Sequence, residues 1–175
     1  MASPAMSTSV QRLPLAGQLG LLAVLGSGAL LGGALFFQYG LGLAPCEMCH
    51  WQRWPHMVAM AAGLGAFAAS GNRRLAFGLL LVAVAAVAVT AGLGVFHAGV
   101  EYRWWQGPQA CSGTIPTGLS PEELKKILFS AKMVRCDEPA WKLAGISMAG
   151  WNALLSGILA IVLASGVSRL ARAST

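Results

Sequence analysis

Four intervals of the chain contain no Asp, Glu, Lys or Arg: residues 13–46, 54–72, 75–100 and 143–168. Nothing else in the sequence restricts its fold as severely. A helix needs about 20 predominantly apolar residues to cross the hydrocarbon of a bilayer. Each interval reaches or nearly reaches that length, and the shortest has 19 residues. A soluble domain normally carries about 25% charged residues, whereas this chain carries 10% and is 56% hydrophobic. Four such runs in 175 residues leave almost nothing to cover them in water, so a soluble helical globule is set aside. The expected fold is an all-α membrane protein, a four-helix transmembrane bundle in one integral domain. Its helices are expected near 15–37, 54–71, 75–97 and 144–166. The first run exceeds the 7–15 or so residues of a signal-peptide core. Proline before the cysteine in Leu43-Ala44-Pro45-Cys46 departs from a lipoprotein cleavage box. A permanent first span is expected.

Four spans place both termini on the same side as the short 71–74 connection. That side holds Arg12, Arg73, Arg74, Arg169 and Arg172 and no acid; the other holds all six acids and seven basic residues. Total basic counts do not decide the orientation, but density close to the membrane does. The positive-inside rule weights short flanking segments and puts the termini in the cytoplasm. Loops at about 38–53 and 98–143 then face the other side with all four cysteines, in a compartment where disulfides persist. Trp51, Trp54, Trp104, Trp105 and Trp141 fall at outer helix ends or in outer loops, where indole rings settle at the headgroups.

The 98–143 loop is the one sizeable polar segment, punctuated by Gly107-Pro108, Pro116, Gly118 and Pro139. A helix interrupts it. Ser120 is placed to cap, Pro121 suits the first helical position, and Glu123 completes a capping box. Leu124, Ile127, Leu128 and Ala131 then recur on one face, with Lys125, Lys126 and Lys132 elsewhere. The pattern fits a short amphipathic helix lying on the bilayer or packed against the protein's own helices.

The cysteines form two sets, Cys46 with Cys49 and Cys111 with Cys136. Three chemistries can use them. Cys46-Glu47-Met48-Cys49-His50 spells the attachment motif of a c-type haem, which makes a membrane-anchored cytochrome the alternative reading. That reading leaves Cys111 and Cys136 without a task. A zinc site would gather all four sulfurs, with or without His50, yet the second pair lacks metal-ligand spacing. The third reading is a redox-active dithiol ahead of a helix whose N-terminus favours a thiolate. Arg53 follows Cys49 by four residues, one helical turn along the same face, and is placed to stabilise a thiolate or an anionic reduced cofactor. Structural disulfides in a scaffold without turnover remain the plain option.

Pro45-Cys46-Glu47-Met48-Cys49 followed by Arg53, the second cysteine pair in a long loop and four spans resemble the bacterial disulfide-bond formation protein B (DsbB) family. The segment from Gly94 to Ser112 also looks like members of that family. The resemblance implies a thiol:quinone oxidoreductase of the bacterial inner membrane, with its active cysteines on the periplasmic side. It would reoxidise a DsbA-like thioredoxin-fold dithiol oxidase and pass the electrons to membrane ubiquinone or menaquinone. By motif position, the partner thiolate attacks Cys111 of a Cys111–Cys136 disulfide. Cys136 then attacks Cys46, and Cys49 is released beside Arg53 to reduce the quinone. His56 and His97 are candidate quinone neighbours, with Glu101 one turn beyond His97. No metal, haem or nucleic-acid partner is expected; besides lipid, the partners are the dithiol oxidase and the quinone pool. Met60 and Gly28-x-x-x-Gly32 are expected to serve helix packing. Gln52 stands where some family members carry an acid. A vitamin K epoxide reductase-like protein is a further alternative, but its C-x-x-C would be expected inside a late helix.

Overall fold

The structure is a computed structural model that describes residues 13–108, 120–123, 125 and 134–173. Four long helices carry it: α1 (Leu15–Leu35), α2 (Glu47–Ala68), α3 (Arg73–Glu101) and α4 (Met148–Arg172). Helix α2 packs against α1 and α3, and α4 packs against α3 and α1. The core between them is built from small residues, with Ala23, Ala59, Ala66, Ala76 and Ala83 fully buried beside Leu80, Val87 and Leu163. Small side chains let backbones approach closely, which is how helices associate where lipid removes the hydrophobic drive between them. The tightest approach is between α1 and α2. A Cβ added to Gly20 would lie 2.5 Å from the Gly63 carbonyl oxygen, and one added to Gly63 would lie 2.7 Å from that of Gly20. Of the residues expected to serve helix packing, Gly28 of α1 faces Met60 of α2, whereas a Cβ on Gly32 would meet nothing.

Leu25, Leu64, Val89 and Ile161 are among the large apolar side chains left exposed on the helices. Three helical segments are long and apolar enough to cross a membrane: Leu15–Gly40, Arg73–Glu101 and Met148–Arg172. Helix α2 is long but less apolar, because its first half contains Gln52, Arg53, Pro55 and His56. It also begins at Glu47, well before the charge-free interval starting at 54. A charge ends an apolar run without ending a helix, since one face of the first turns can stay polar.

Caps set the other boundaries. The Asn72 side chain accepts a hydrogen bond from Leu75 N and starts α3. At the same end of the bundle, Arg73 donates to the carbonyls of Leu170 and Ala173, satisfying the otherwise open end of α4. Helix α4 starts at Met148, four residues later than the sequence expectation of 144. Residues Lys142–Leu143 and Ile146–Ser147 form a two-stranded antiparallel hairpin, β1–β2, and Ser147 caps the helix by accepting from Gly150 N. The turn residues Ala144 and Gly145 both have positive φ, 51° and 79°, the geometry of the tight hairpin turn that matches strand twist.

In the long loop, Ser120 and Glu123 form the expected capping box. Ser120 N and Oγ donate to Glu123 Oε2 at 3.0 and 2.8 Å, and Glu123 N donates to Ser120 Oγ at 3.3 Å. Helix begins at Pro121. Its expected continuation through Ala131, and Cys111, lie outside the described residues.

Candidate functional site

The polar groups of the chain's interior gather at one end of the bundle, where α1 and α3 finish and α2 and α4 begin. Helix α1 closes with a π-helical turn, Phe36–Gly40, in which Leu41 N donates to Phe36 O. That widened turn carries Gln38 to the start of α2, where its side-chain oxygen accepts from the Arg53 guanidinium. Pro45 and the extended Cys46 then lead into α2, with Cys46 as the N-cap at ψ 172°. The Cys46 sulfur accepts from Cys49 N at 3.3 Å, as a serine oxygen would in the same position.

Cys46 and Cys49 are free thiols. Their sulfurs lie 3.0 Å apart, with the Cys46 thiol donating to Cys49. The Cys46 proton is therefore directed at the Cys49 sulfur, ahead of the apolar part of α2. The hydrogen bond from Cys46 lowers the Cys49 pKa, helped by the Cys46 backbone hydrogen bond and the Arg53 charge and opposed by burial. The same hydrogen bond to Cys49, with burial, raises the Cys46 thiol. Of the two sulfurs, Cys49 is the one that ionises first.

His97 comes from the last turn of α3. Its Nε2 lies 3.6 Å from the Cys46 sulfur and 3.9 Å from Glu101 Oε1. Its Nδ1 accepts from Gln52 Nε2 at 2.8 Å. Gln52 is a hub: its Oε1 accepts from Asn152 Nδ2 at 2.8 Å, and its main-chain oxygen accepts from the Thr90 hydroxyl at 2.9 Å. Asn152 in turn accepts from His56 Nε2 at 3.1 Å and from the Ser156 hydroxyl at 3.2 Å. Buried amides and imidazoles are costly unless paired, and this chain pairs them into one network joining α2, α3 and α4. Two buried nitrogens at this end have no hydrogen-bond partner among the described residues: His56 Nδ1, within the network, and Arg53 Nε, outside it.

Both residues line a cavity of about 410 Å³ whose walls are mostly apolar, among them Leu30, Ala34 and Phe37 of α1 and Leu155 of α4. Cys49 and His97 also open onto it. The cavity size falls in the usual range for a small-molecule site. The structure thus brings Cys46, Cys49, Arg53, His56 and His97 to one place. Cys136 joins them from the long loop: it is disulfide-bonded and shares a buried cluster with Cys46, Met48 and Val100. His50, the would-be haem ligand, points outward and is exposed; His97, from another helix, is the imidazole beside Cys46.

Sequence reading missed Asn152 altogether and gave Gln52 no structural role. Asn152 is the single Asn, Asp, Gln or Glu in the apolar stretch 148–166, and an isolated amide in a membrane-length helix is a usable signal.

Comparison with known proteins decides the family. The model of the family described as "Disulfide bond formation protein DsbB" matches residues 16–166. The chain belongs to the DsbB family. A disulfide bond formation protein B of Polaromonas sp. strain JS666 is 31% identical over 152 residues, covering 82% of this chain and 86% of the relative. That of Pseudoalteromonas translucida is 31% identical over 134 residues, covering 74% and 76%. An uncharacterized protein of Rickettsia prowazekii is 30% identical over 132 residues, covering 74% and 75%. This DsbB-family chain is a membrane protein with the general role of a disulfide-generating thiol oxidoreductase. The free Cys46–Cys49 pair at the head of α2 is in keeping with that role.

Proposed function

We propose that the protein oxidises the dithiol of a DsbA-like thioredoxin-fold partner and delivers the electrons to membrane quinone. All four long helices, α2 included, cross the inner membrane in this reading. The termini and the 71–74 connection are cytoplasmic and the cysteines periplasmic. The observation that carries the proposal is the burial of Cys136 in one cluster with Cys46, directly beside a cavity that Cys49 and Arg53 enter. Two redox sets that are 90 residues apart in sequence, Cys46 and Cys136, thus become neighbours.

In the proposed sequence, a partner thiolate attacks Cys111 of the Cys111–Cys136 disulfide and forms a mixed disulfide, releasing the Cys136 thiolate. The partner's second thiol resolves that bond and leaves oxidised, so two electrons now reside on Cys111 and Cys136. Cys136 attacks Cys46 of an oxidised Cys46–Cys49 pair and frees Cys49. Cys111 then reforms its bond with Cys136, leaving Cys46 and Cys49 reduced.

A quinone held in the cavity by Arg53 and His56 would supply the oxidant, taking up two electrons and two protons while the Cys46–Cys49 disulfide re-forms. The residues present suit that group. Arg53 Nε, a buried donor without a partner, suits a ring oxygen that gains negative charge. His56 Nδ1, an acceptor because Nε2 donates to Asn152, suits the hydroxyl of the product. His97 Nε2, which carries the ring proton because Nδ1 accepts from Gln52, lies where it can donate to the Cys46 sulfur. A terminal acceptor of this kind also answers an energetic need. The dithiol oxidases of this pathway lie near −120 mV and ordinary structural disulfides below about −300 mV, a gap of about 8 kcal/mol. Withdrawal of electrons into the quinone pool pulls the relay forward.

Anaerobic quinone reduction by the purified protein with a reduced thioredoxin-fold partner tests the proposal. Cys49→Ser and Cys111→Ser should each abolish it; an unchanged rate in either variant overturns the two-disulfide relay.

A further inference from the structure

The end of α2 that carries the dithiol has the geometry of a second kind of site. The sulfurs of Cys46 and Cys49 and a ring nitrogen of His97 all lie within 4.8 Å of one another. The zinc site weighed from the sequence used Cys111 and Cys136; this set uses neither, and His97 is 48 residues from Cys49 in the chain.

Tetrahedral zinc, with bonds of about 2.3 Å to sulfur and 2.0–2.1 Å to nitrogen, sets sulfur and nitrogen ligands about 3.5 Å apart and two sulfurs about 3.8 Å apart. The Cys46 sulfur and His97 Nε2 are 3.6 Å apart. The two sulfurs are at 3.0 Å and need to open by less than 1 Å, or about one rotation about Cα–Cβ of a few tens of degrees. Three ligands are in place, and the fourth position of the tetrahedron is open. Glu101 borders the group, with Oε1 3.9 Å from His97 Nε2, and its carboxylate is already engaged by the Ser147 hydroxyl and the Lys142 charge. Gln52 contacts the far ring nitrogen, and in the metal-free state its amide donates there. When Nε2 ligates, Nδ1 carries the proton and the Gln52 and Asn152 amides turn together, so that the Gln52 oxygen accepts from the ring and the Asn152 oxygen accepts from Gln52.

We propose that the reduced Cys46–Cys49 pair, with His97, binds one thiophilic d10 cation of the Zn2+ class, the fourth position being left to solvent. Binding displaces the two thiol protons to solvent and involves no electron transfer. It occupies both sulfurs, so the Cys46–Cys49 disulfide cannot form while the metal is held. The oxidised protein has no thiolates to offer and does not bind. The cation thus acts as a reversible brake on the reduced enzyme alone.

Binding is measured on the purified full-length protein in detergent, without quinone or partner, so the result does not depend on the proposed turnover. Zn2+ is titrated against a chromophoric chelator, and Co2+ is used as a spectroscopic substitute. The phosphine-reduced protein should take up one equivalent of Zn2+, and its Co2+ form should show a thiolate-to-cobalt charge-transfer band. The oxidised protein should do neither. Cys111→Ser should bind as the parent does. Gln52→Leu should weaken Zn2+ binding about 10- to 100-fold. His97→Ala should lose the site, and His97→Cys, which restores a ligand, should regain it with a stronger charge-transfer band. Recovery in His97→Cys distinguishes a lost ligand from a lost fold. Equal uptake by oxidised protein, parent-like affinity in His97→Ala, or loss of binding in Cys111→Ser overturns the proposal. So does the absence of the cobalt band from the reduced protein.

Discussion

Replacing Cys46 by alanine removes the hydrogen bond that the Cys49 sulfur receives at 3.0 Å, the first cause of the lowered Cys49 pKa. A hydrogen bond to a charged group is worth about 1.5–3 kcal/mol. At 1.4 kcal/mol per factor of ten, the thiolate fraction at neutral pH and below should fall about 10- to 100-fold. Reactivity falls less, because a more basic thiolate is a better nucleophile, with a Brønsted slope of about 0.4–0.5. The net expectation is a roughly 3- to 10-fold slower attack of Cys49 on an aromatic disulfide reagent. The sign follows from the direction of the shift. In the parent, the rate rises as pH climbs through a depressed thiol titration; in Cys46→Ala the rise moves to higher pH. The assay is quenched labelling of reduced protein across a pH series, read by mass spectrometry on the peptide that carries residue 49. Cys46→Ser is the control, since its hydroxyl both accepts from Cys49 N and donates to the Cys49 sulfur. It should keep a depressed profile. If Cys46→Ala keeps the depressed profile of the parent and of Cys46→Ser, the side-chain hydrogen bond is not the cause and the helix start or Arg53 carries the effect.

Three further outcomes follow from particular contacts. Gly63→Leu forces a side chain against the Gly20 carbonyl, 2.7 Å from where its Cβ would lie, and should cost about 1–3 kcal/mol in a reversible unfolding assay in mixed micelles. Gly32→Ala, where a Cβ meets nothing, should leave the midpoint unchanged in the same assay. Asn152→Leu strands Gln52 Oε1 and His56 Nε2, at about 1–3 kcal/mol for each group left unpaired. Arg53→Ala should raise the KM for quinone about 10- to 100-fold, the worth of a charged hydrogen bond, and leave the KM for the dithiol partner near its parent value. Equal effects on both would remove Arg53 from the quinone side of the site.

What could be read from the sequence was whatever depends on neighbours in the chain. The charge-free runs located α1, α3 and α4, and Ser120-x-x-Glu123 announced its capping box. The C-x-x-C and the arginine one turn later were visible because a helix brings i and i+4 to one face. Two local features still escaped. The start of α2 at Glu47 was hidden because Gln52 and Arg53 interrupt the apolar run, yet Gln52 is buried against α3 and α4. The β1–β2 hairpin was hidden because Ala144-Gly145 looks like apolar helix unless the turn's positive φ values are known. What depends on distant residues was out of reach. No spacing rule pairs Gln52 with His97, 45 residues away, or with Asn152, 100 residues away.

The identity of residue 52 bears on how the site handles protons. A carboxylate beside His97 would share or trap a proton on the ring and add negative charge next to two sulfurs that must carry it during turnover. The amide of Gln52 instead gives His97 Nδ1 a donor and takes a donor from Asn152, so the ring keeps its proton on Nε2, the nitrogen facing Cys46 and Glu101. Proton exchange is thereby directed toward the dithiol and away from the bundle interior. The amides also join His97 to His56 in one hydrogen-bonded chain, while an amide passes no proton by simple hopping. The chain therefore positions both imidazoles without connecting them electrically. His97 lies beside the Cys46 sulfur, and His56 lines the same cavity from α2, seven residues beyond Cys49.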